Sequence, residues 1–285
     1  MIPELVVPLP AVALKPHTPP GTAPVVRTVL TREWRGLRRN RGVLLFAVGT
    51  LLCVESFLRL TGSAERALVS LLNLVLLIVP LVSMMLGIIS WHGAREFTEL
   101  LLTQPVRRSR LFLALYLAQV LPLAGGFALA ICAPLLWHGV PERTVWPLAI
   151  SMICSGVALT FVFGGLALLI GIRVDDRLRS VVTGLMAWLL LSVGYDALVL
   201  LVSTTFADYA LERPMMALML GNPVDLARTL IVMHSDTAAL MGYTGAVLHR
   251  FLGTTLGIAA STAGLLLWMI GPVWFARRCF ERRDF

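Results

Sequence analysis

Six apolar runs, at about 43–60, 67–91, 111–137, 146–172, 180–204 and 252–276, dominate this chain, and short basic or polar joints separate them. Each run is long enough to cross a hydrocarbon core about 30 Å thick, which takes roughly 20 helical residues. Backbone amides and carbonyls have no partner in lipid unless the segment supplies its own, so apolar runs of this length are helices. With 58% hydrophobic residues and a mean hydropathy of +0.84, the sequence predicts an all-α integral membrane protein of six crossings. The spans use about half of the 285 residues, and no segment is left to hold a soluble catalytic domain.

A net charge of +8 would fit a nucleic-acid binder, but its distribution does not. With the N-terminus placed in the cytoplasm, the inner segments hold 18 of the 24 basic residues: Lys15 and 17 arginines, among them Arg95, Arg107, Arg108, Arg110, Arg173, Arg177, Arg179 and the closing Arg277, Arg278, Arg282 and Arg283. The outer segments hold Arg59, Arg66, Arg143, Arg213, Arg228 and Arg250. This is the positive-inside asymmetry, and it predicts that both termini are cytoplasmic. The partner of the surface is the lipid bilayer, and nucleic acid is excluded. Cys53, Cys132, Cys154 and Cys279 show neither a CxxC nor a metal-ligand spacing.

Residues 1–24 contain seven prolines and no helical period, which predicts a disordered tail ahead of a membrane domain at 25–285. From Val26 to Arg41 the pattern changes. Val26, Leu30, Trp34 and Leu37 recur at helical spacing among five arginines, as in a basic amphipathic helix lying along the inner headgroups and leading into the first span. The joint from His92 to Arg110 spends about a dozen residues on a short amphipathic helix. In it Ala94, Phe97, Leu100 and Leu101 share one face, while Arg95, Glu96, Thr98 and Glu99 lie elsewhere. Pro105 limits that helix at Gln104. Two acids beside a basic run suit docking to a cytoplasmic partner. The joint Arg173-Val-Asp-Asp-Arg-Leu-Arg179 reads as a simple turn, and the half-apolar segment from 206 to 250 predicts short helices packed on the outer mouth.

Ionisable or amide groups inside spans are costly and therefore suspects. Glu55 precedes Arg59 by four residues, a spacing for an i,i+4 pair, and is otherwise a candidate for the translocation path. Asp196 lies beside Tyr195 late in the fifth span, and either snorkels to outer water, meets an interhelical donor or lines a path. Asn73 in the second span reads as an interhelical hydrogen-bonding group. Met215, Met216, Met219, Met233, His234 and Met241 are soft ligands of the kind that suit Cu(I). Methionine is also an ordinary filler of apolar surfaces, and without a repeated MxxM array no metal site is assigned.

On these residues the chain resembles the permease subunits of type 2, exporter-like ATP-binding cassette (ABC) transporters, and within them the NosY-like permeases associated with maturation of nitrous oxide reductase. The resemblance runs from about Arg27 to the end. It is carried by the amphipathic helix at 26–41, the segment Arg95-Glu96-Phe97-Thr98-Glu99-Leu100-Leu101-Leu102-Thr103-Gln104-Pro105 and the Tyr195-Asp196 pair. Asn222-Pro223-Val224-Asp225-Leu226-Ala227-Arg228 and the ending Phe280-Glu281-Arg282-Arg283-Asp284-Phe285 complete it. It implies a bacterial inner-membrane channel half that pairs with a second copy or a paralogue, and an elbow helix at 26–41. It also implies a coupling helix formed by Arg95, Glu96, Phe97, Glu99, Leu100 and Gln104 against a separate ATPase subunit. The residues agree on one point independently. A phosphate-binding P-loop needs a Gly-Lys-Ser/Thr, and the single lysine here, Lys15, is followed by Pro16. ATP and Mg2+ would therefore sit on the partner, with no cofactor in this chain. Two other readings compete: a non-transporting membrane scaffold or assembly factor, and an intramembrane enzyme, for which facing catalytic groups are lacking.

Overall fold

The computed structural model describes residues 41–102, 107–139, 145–205, 218, 220–233 and 243–283. The tail at 1–24, the elbow segment, Gln104, Met215, Met216, Met219 and His234 lie outside them. Among the described residues every regular element is a helix. In chain order these are α1 (Arg41–Thr61), α2 (Ala64–Leu102), α3 (Arg108–Trp137), α4 (Val145–Arg173), α5 (Arg177–Leu189), a π-helical turn (Leu190–Gly194), α6 (Tyr195–Thr205), α7 (Pro223–Val232) and α8 (Tyr243–Arg282). The turn joins α5 and α6 into one fifth span, so among the described residues six helices are long and apolar enough to cross a membrane. Successive spans alternate in direction. One end of the bundle collects Arg95, Arg107, Arg108, Arg110, Arg173, Arg177, Arg179, Arg277 and Arg283 and is called here the basic end; the other is the far end.

The spans occur where the apolar runs predict them, and their limits reach further. α2 extends 39 residues, about 58 Å at 1.5 Å per residue, and passes without a break through the segment expected to form a separate short helix. Between Trp91 and Leu102 only Gly93 weakens the helix, and the hydroxyl of Thr98 and the ring of His92 bond back to the carbonyls of Ala94 and Ile88. Nothing there breaks a turn, so the amphipathic stretch grows directly out of the second span. α8 likewise carries its helix through Arg282, where the sequence reads as a tail.

α4 is the centre of the bundle: 61% of its most apolar window is buried, against 17% for α1 and 11% for the fifth span. Small residues let its neighbours approach. A Cβ at Gly156 would meet the Phe127 ring at 2.2 Å, and one at Gly171 the Trp91 ring at 2.6 Å. α2, α3 and α8 surround it, and α1 packs on the outside against α3 and α2.

The ten-residue helix α7 differs from the expected cover on the mouth. Eight of its residues are buried, because it inserts between α4 and α8 at the far end. Its start is locally specified: Asn222 accepts a hydrogen bond from the Val224 amide at 3.0 Å, and Pro223 occupies a first-turn position where its missing N–H costs nothing. Between the far-end halves of α4 and α8, with Leu230 of α7 as one wall, lies an apolar cleft of about 900 Å³. Trp146, Ile150, Cys154, Leu265 and Met269 are among its lining residues.

Candidate functional site

Among the described residues the ion pairs that join different elements fall into three groups, each linking segments distant in sequence. At the basic end, the turn between α4 and α5 places Asp175 between two guanidiniums. Arg95 of α2 reaches its carboxylate at 3.0 Å and also pairs with Glu99, one turn further along α2, at 3.1 Å. Arg283, just beyond the end of α8, donates to the same Asp175 carboxylate and to the carbonyl of Ile172. Arg108, at the start of α3, donates to the carbonyls of Glu281 at 3.2 Å and Arg283 at 2.9 Å. The last carbonyls of a helix have no intrahelical donor, and here arginines from other elements supply donors for α4 and α8. The Arg283 charge, aided by Arg95, holds the Asp175 carboxyl below the usual carboxylate range. Asp176 next to it caps α5, accepting from the Arg179 amide at 2.7 Å.

At the far end the charges are inverted: one guanidinium lies between two carboxylates. Arg228 of α7 meets both oxygens of Asp196 of α6, at 3.3 and 3.1 Å, and Asp225 of its own helix at 3.1 Å. Asn222 donates to the other oxygen of Asp225 at 3.1 Å, and the Tyr195 hydroxyl donates to the carbonyl of Leu218. Asp225 is 2% exposed. Burial, reinforced by the neighbouring Asp196, pushes its carboxyl up to about 6 against the opposing pull of Arg228 and Asn222.

That displacement has a measurable sign. A carboxyl whose folded-state value lies above its ordinary 3.8 binds protons more tightly when folded. The stability it contributes is complete below the unfolded value and is lost as pH rises through about 6. Lowering the pH from 8 to 5 should therefore stabilise the chain by about 1 kcal/mol through this group. Asp225→Asn should remove that increment from melting curves of the purified chain; an unchanged pH profile in the variant would assign the effect elsewhere.

The third group links α1 to α3. Glu55 accepts from Arg59 at 2.7 Å, and the ring of His138, just past the end of α3, lies 3.0 Å from its other oxygen.

Of the residues singled out in the sequence, Glu96, Glu99 and Leu100 are exposed on the protruding end of α2, while Arg95 and Phe97 are half-buried against the body. Asp196 meets Arg228, so its donor comes from another helix. Asn73 is exposed on the surface of this chain. Sequence reasoning passed over Asp175, Arg283, Arg108 and His138. For Asp175 a signal existed, since two adjacent acids in an otherwise basic turn are unusual company; one arginine among the four of the closing stretch offers none. Among the described residues no group of three or more His, Cys, Asp or Glu side chains is arranged to hold a metal ion.

No protein-family model matches the chain. It is 28% identical over 280 residues to the probable ABC transporter permease protein NosY of Pseudomonas aeruginosa, an alignment covering 91% of this chain and 99% of that protein. The chain is similar to a NosY-type ABC permease over most of its length. The likeness supports a membrane-embedded permease role, and it agrees with the six apolar helices found among the described residues.

Proposed function

We propose that the chain is the membrane-spanning permease subunit of an ABC transporter, with its basic end and both termini in the cytoplasm of a bacterium and the bilayer of the plasma membrane around it. ATP and Mg2+ bind a separate ATPase subunit, and a second permease copy or a paralogue completes the channel. The observation that carries this reading is the end of α2. It extends well past the length a bilayer needs and presents Glu96, Glu99 and Leu100 to solvent while Arg95 ties it to the body. A rigid, acid-bearing helix end, continuous with a span, suits a cleft on a nucleotide-driven partner and delivers that partner's motion to the bundle. Arg95, Phe97 and Gln104 complete the proposed contact.

The test is a purification of the full chain from native membranes, followed by vanadate-sensitive ATP hydrolysis in the eluate. Glu96→Lys with Glu99→Lys should reduce that hydrolysis by about tenfold or more, the size of a 1–2 kcal/mol loss at a docking contact, while membrane insertion stays normal. Undiminished hydrolysis with the doubly reversed chain would remove the coupling role from this helix. Hydrolysis absent from the unaltered chain as well would favour the scaffold reading.

A further inference from the structure

The fifth span is the least buried of the six, with 11% of its most apolar window covered. Along it only Ser180, Gly184, Ser192 and Val199 are buried, while Leu178, Leu185, Leu189, Leu190, Leu200 and Leu201 are exposed. At its closest approach to α2 a Cβ at Gly184 would meet Ile88 at 2.3 Å, and Val181, Trp188 and Leu191 are half-buried against the core beside it. Apolar packing holds it weakly, yet charges hold it at its start and again at Asp196, nine residues before its end. The turn that starts it is tied by Asp175 to Arg95 and Arg283, and α6 is tied by Asp196 to Arg228 of the inserted helix α7. Between these two ties, the indole of Trp188 donates to the Leu77 carbonyl of α2 at 3.1 Å.

The π-helical turn explains how one helix meets both partners. A π turn inserts one extra residue into an α-helix, and one residue rotates everything beyond it by about 100°. Leu190–Gly194 sits directly before Tyr195 and Asp196, so the inserted residue sets the face on which Asp196 meets Arg228 and Tyr195 meets Leu218. The helical stretches on either side of the turn cover the roughly 30 Å between Asp176 and Asp196. Fixed at a mid-point and loosely packed elsewhere, such a helix rocks more readily than it slides.

We propose that the fifth span is a lever. Displacement of the α2 end at Arg95 passes through Asp175, turns the span about Trp188, and reaches α7 through Asp196 and Arg228. Asp175, Trp188 and Asp196 are its positioning residues. The lever rests on the proposed function only for the source of the force. Its existence is a property of this chain alone and is tested without the ATPase.

Spatial continuity by itself does not establish coupling; an effect read at the distant site does. Amide hydrogen exchange of the full chain in nanodiscs of phosphatidylethanolamine and phosphatidylglycerol supplies that reading. In Asp175→Asn, exchange of the α7 amides at 224–232 should rise by about fivefold or more, the lower end of a typical coupling between sites, and Asp175→Glu should restore it. Linkage requires the reverse effect as well: Asp196→Asn should raise exchange at 95–101 by a similar factor. Trp188→Phe leaves both ion triads intact and should abolish the distant effect in each direction. Local deprotection at 170–180 with α7 unchanged in Asp175→Asn would overturn the lever. So would an effect in one direction only, or one that survives Trp188→Phe. Because no nucleotide or partner enters this experiment, a missing ATPase would leave its outcome untouched.

Discussion

Arg228→Leu should destabilise the chain by about 3 kcal/mol at pH 7.5, within the range for removing one partner of a buried ion pair. The reason is the carboxylate left behind. Asp225 is 2% exposed and, among the described residues, is left with Asn222 as its side-chain donor once the guanidinium is gone. It would then have two courses: remain ionised in an apolar site, or take up a proton. With Arg228 present burial already pushes the carboxyl up to about 6, so taking up a proton at pH 7.5 costs on the order of 2 kcal/mol, and the α7–α6 contact is lost in addition. In melting temperature this amounts to about 6–12 °C, at 2–4 °C per kcal/mol for a chain of this order of length. Two companion measurements separate the cause from simple loss of packing. The deficit should shrink at pH 5, where Asp225 is protonated anyway, and adding Asp225→Asn to Arg228→Leu should recover most of it, since removing both partners of a buried pair costs far less than removing one. An equal deficit at pH 5 and 7.5, with no recovery in the double variant, would show that the guanidinium acts by its bulk.

The division between what the sequence discloses and what it hides follows from range. The six spans are legible because each is a local property: a run of apolar residues must satisfy its own backbone, whatever its neighbours do. The Glu55–Arg59 pair is legible for the same reason, being set by a spacing of four residues. The triads are not. Arg95 and Asp175 lie 80 residues apart, and Arg283 and Asp175 lie 108 apart. No periodicity encodes such a meeting, so a short acidic turn reads as a turn. The continuation of α2 past Trp91 was hidden by a different cause. Polar residues after an apolar run read as the end of a span, but helix propensity is indifferent to where the membrane stops, and Ala94-Arg95-Glu96 is a good helix-forming stretch. The depth of α7 was hidden because Asp225 and Arg228 look like surface residues until each is seen to be the other's partner.

Phe280→Ala should cost about 3–5 kcal/mol, the range for truncating a fully buried aromatic side chain. The ring is 0% exposed and lies where three helices meet at the basic end, 6.0 Å from the Trp91 ring of α2 and 5.8 Å from the Phe112 ring of α3. Neither neighbour is free to refill the space. Trp91 is already pressed against Gly171 of α4, and Phe112 is stacked on Tyr116, whose hydroxyl is engaged by the Phe161 carbonyl at 2.9 Å. The cavity should therefore persist, and cost rises with the volume that stays empty. Phe280→Leu, which keeps four of the carbons, should lose clearly less. The ring also seats the stretch of chain that carries Arg283, so its removal should loosen the guanidinium from Ile172 and Asp175. For this reason Phe280→Ala and Arg283→Gln should not add: both release the same helix end, and their combined destabilisation in unfolding measurements should fall short of the sum by about 0.5 kcal/mol or more, as coupled neighbours do. Full additivity would mean that the aromatic cluster and the ion triad hold the end of α8 independently, and that the charges at Asp175 do not depend on how the ring is packed.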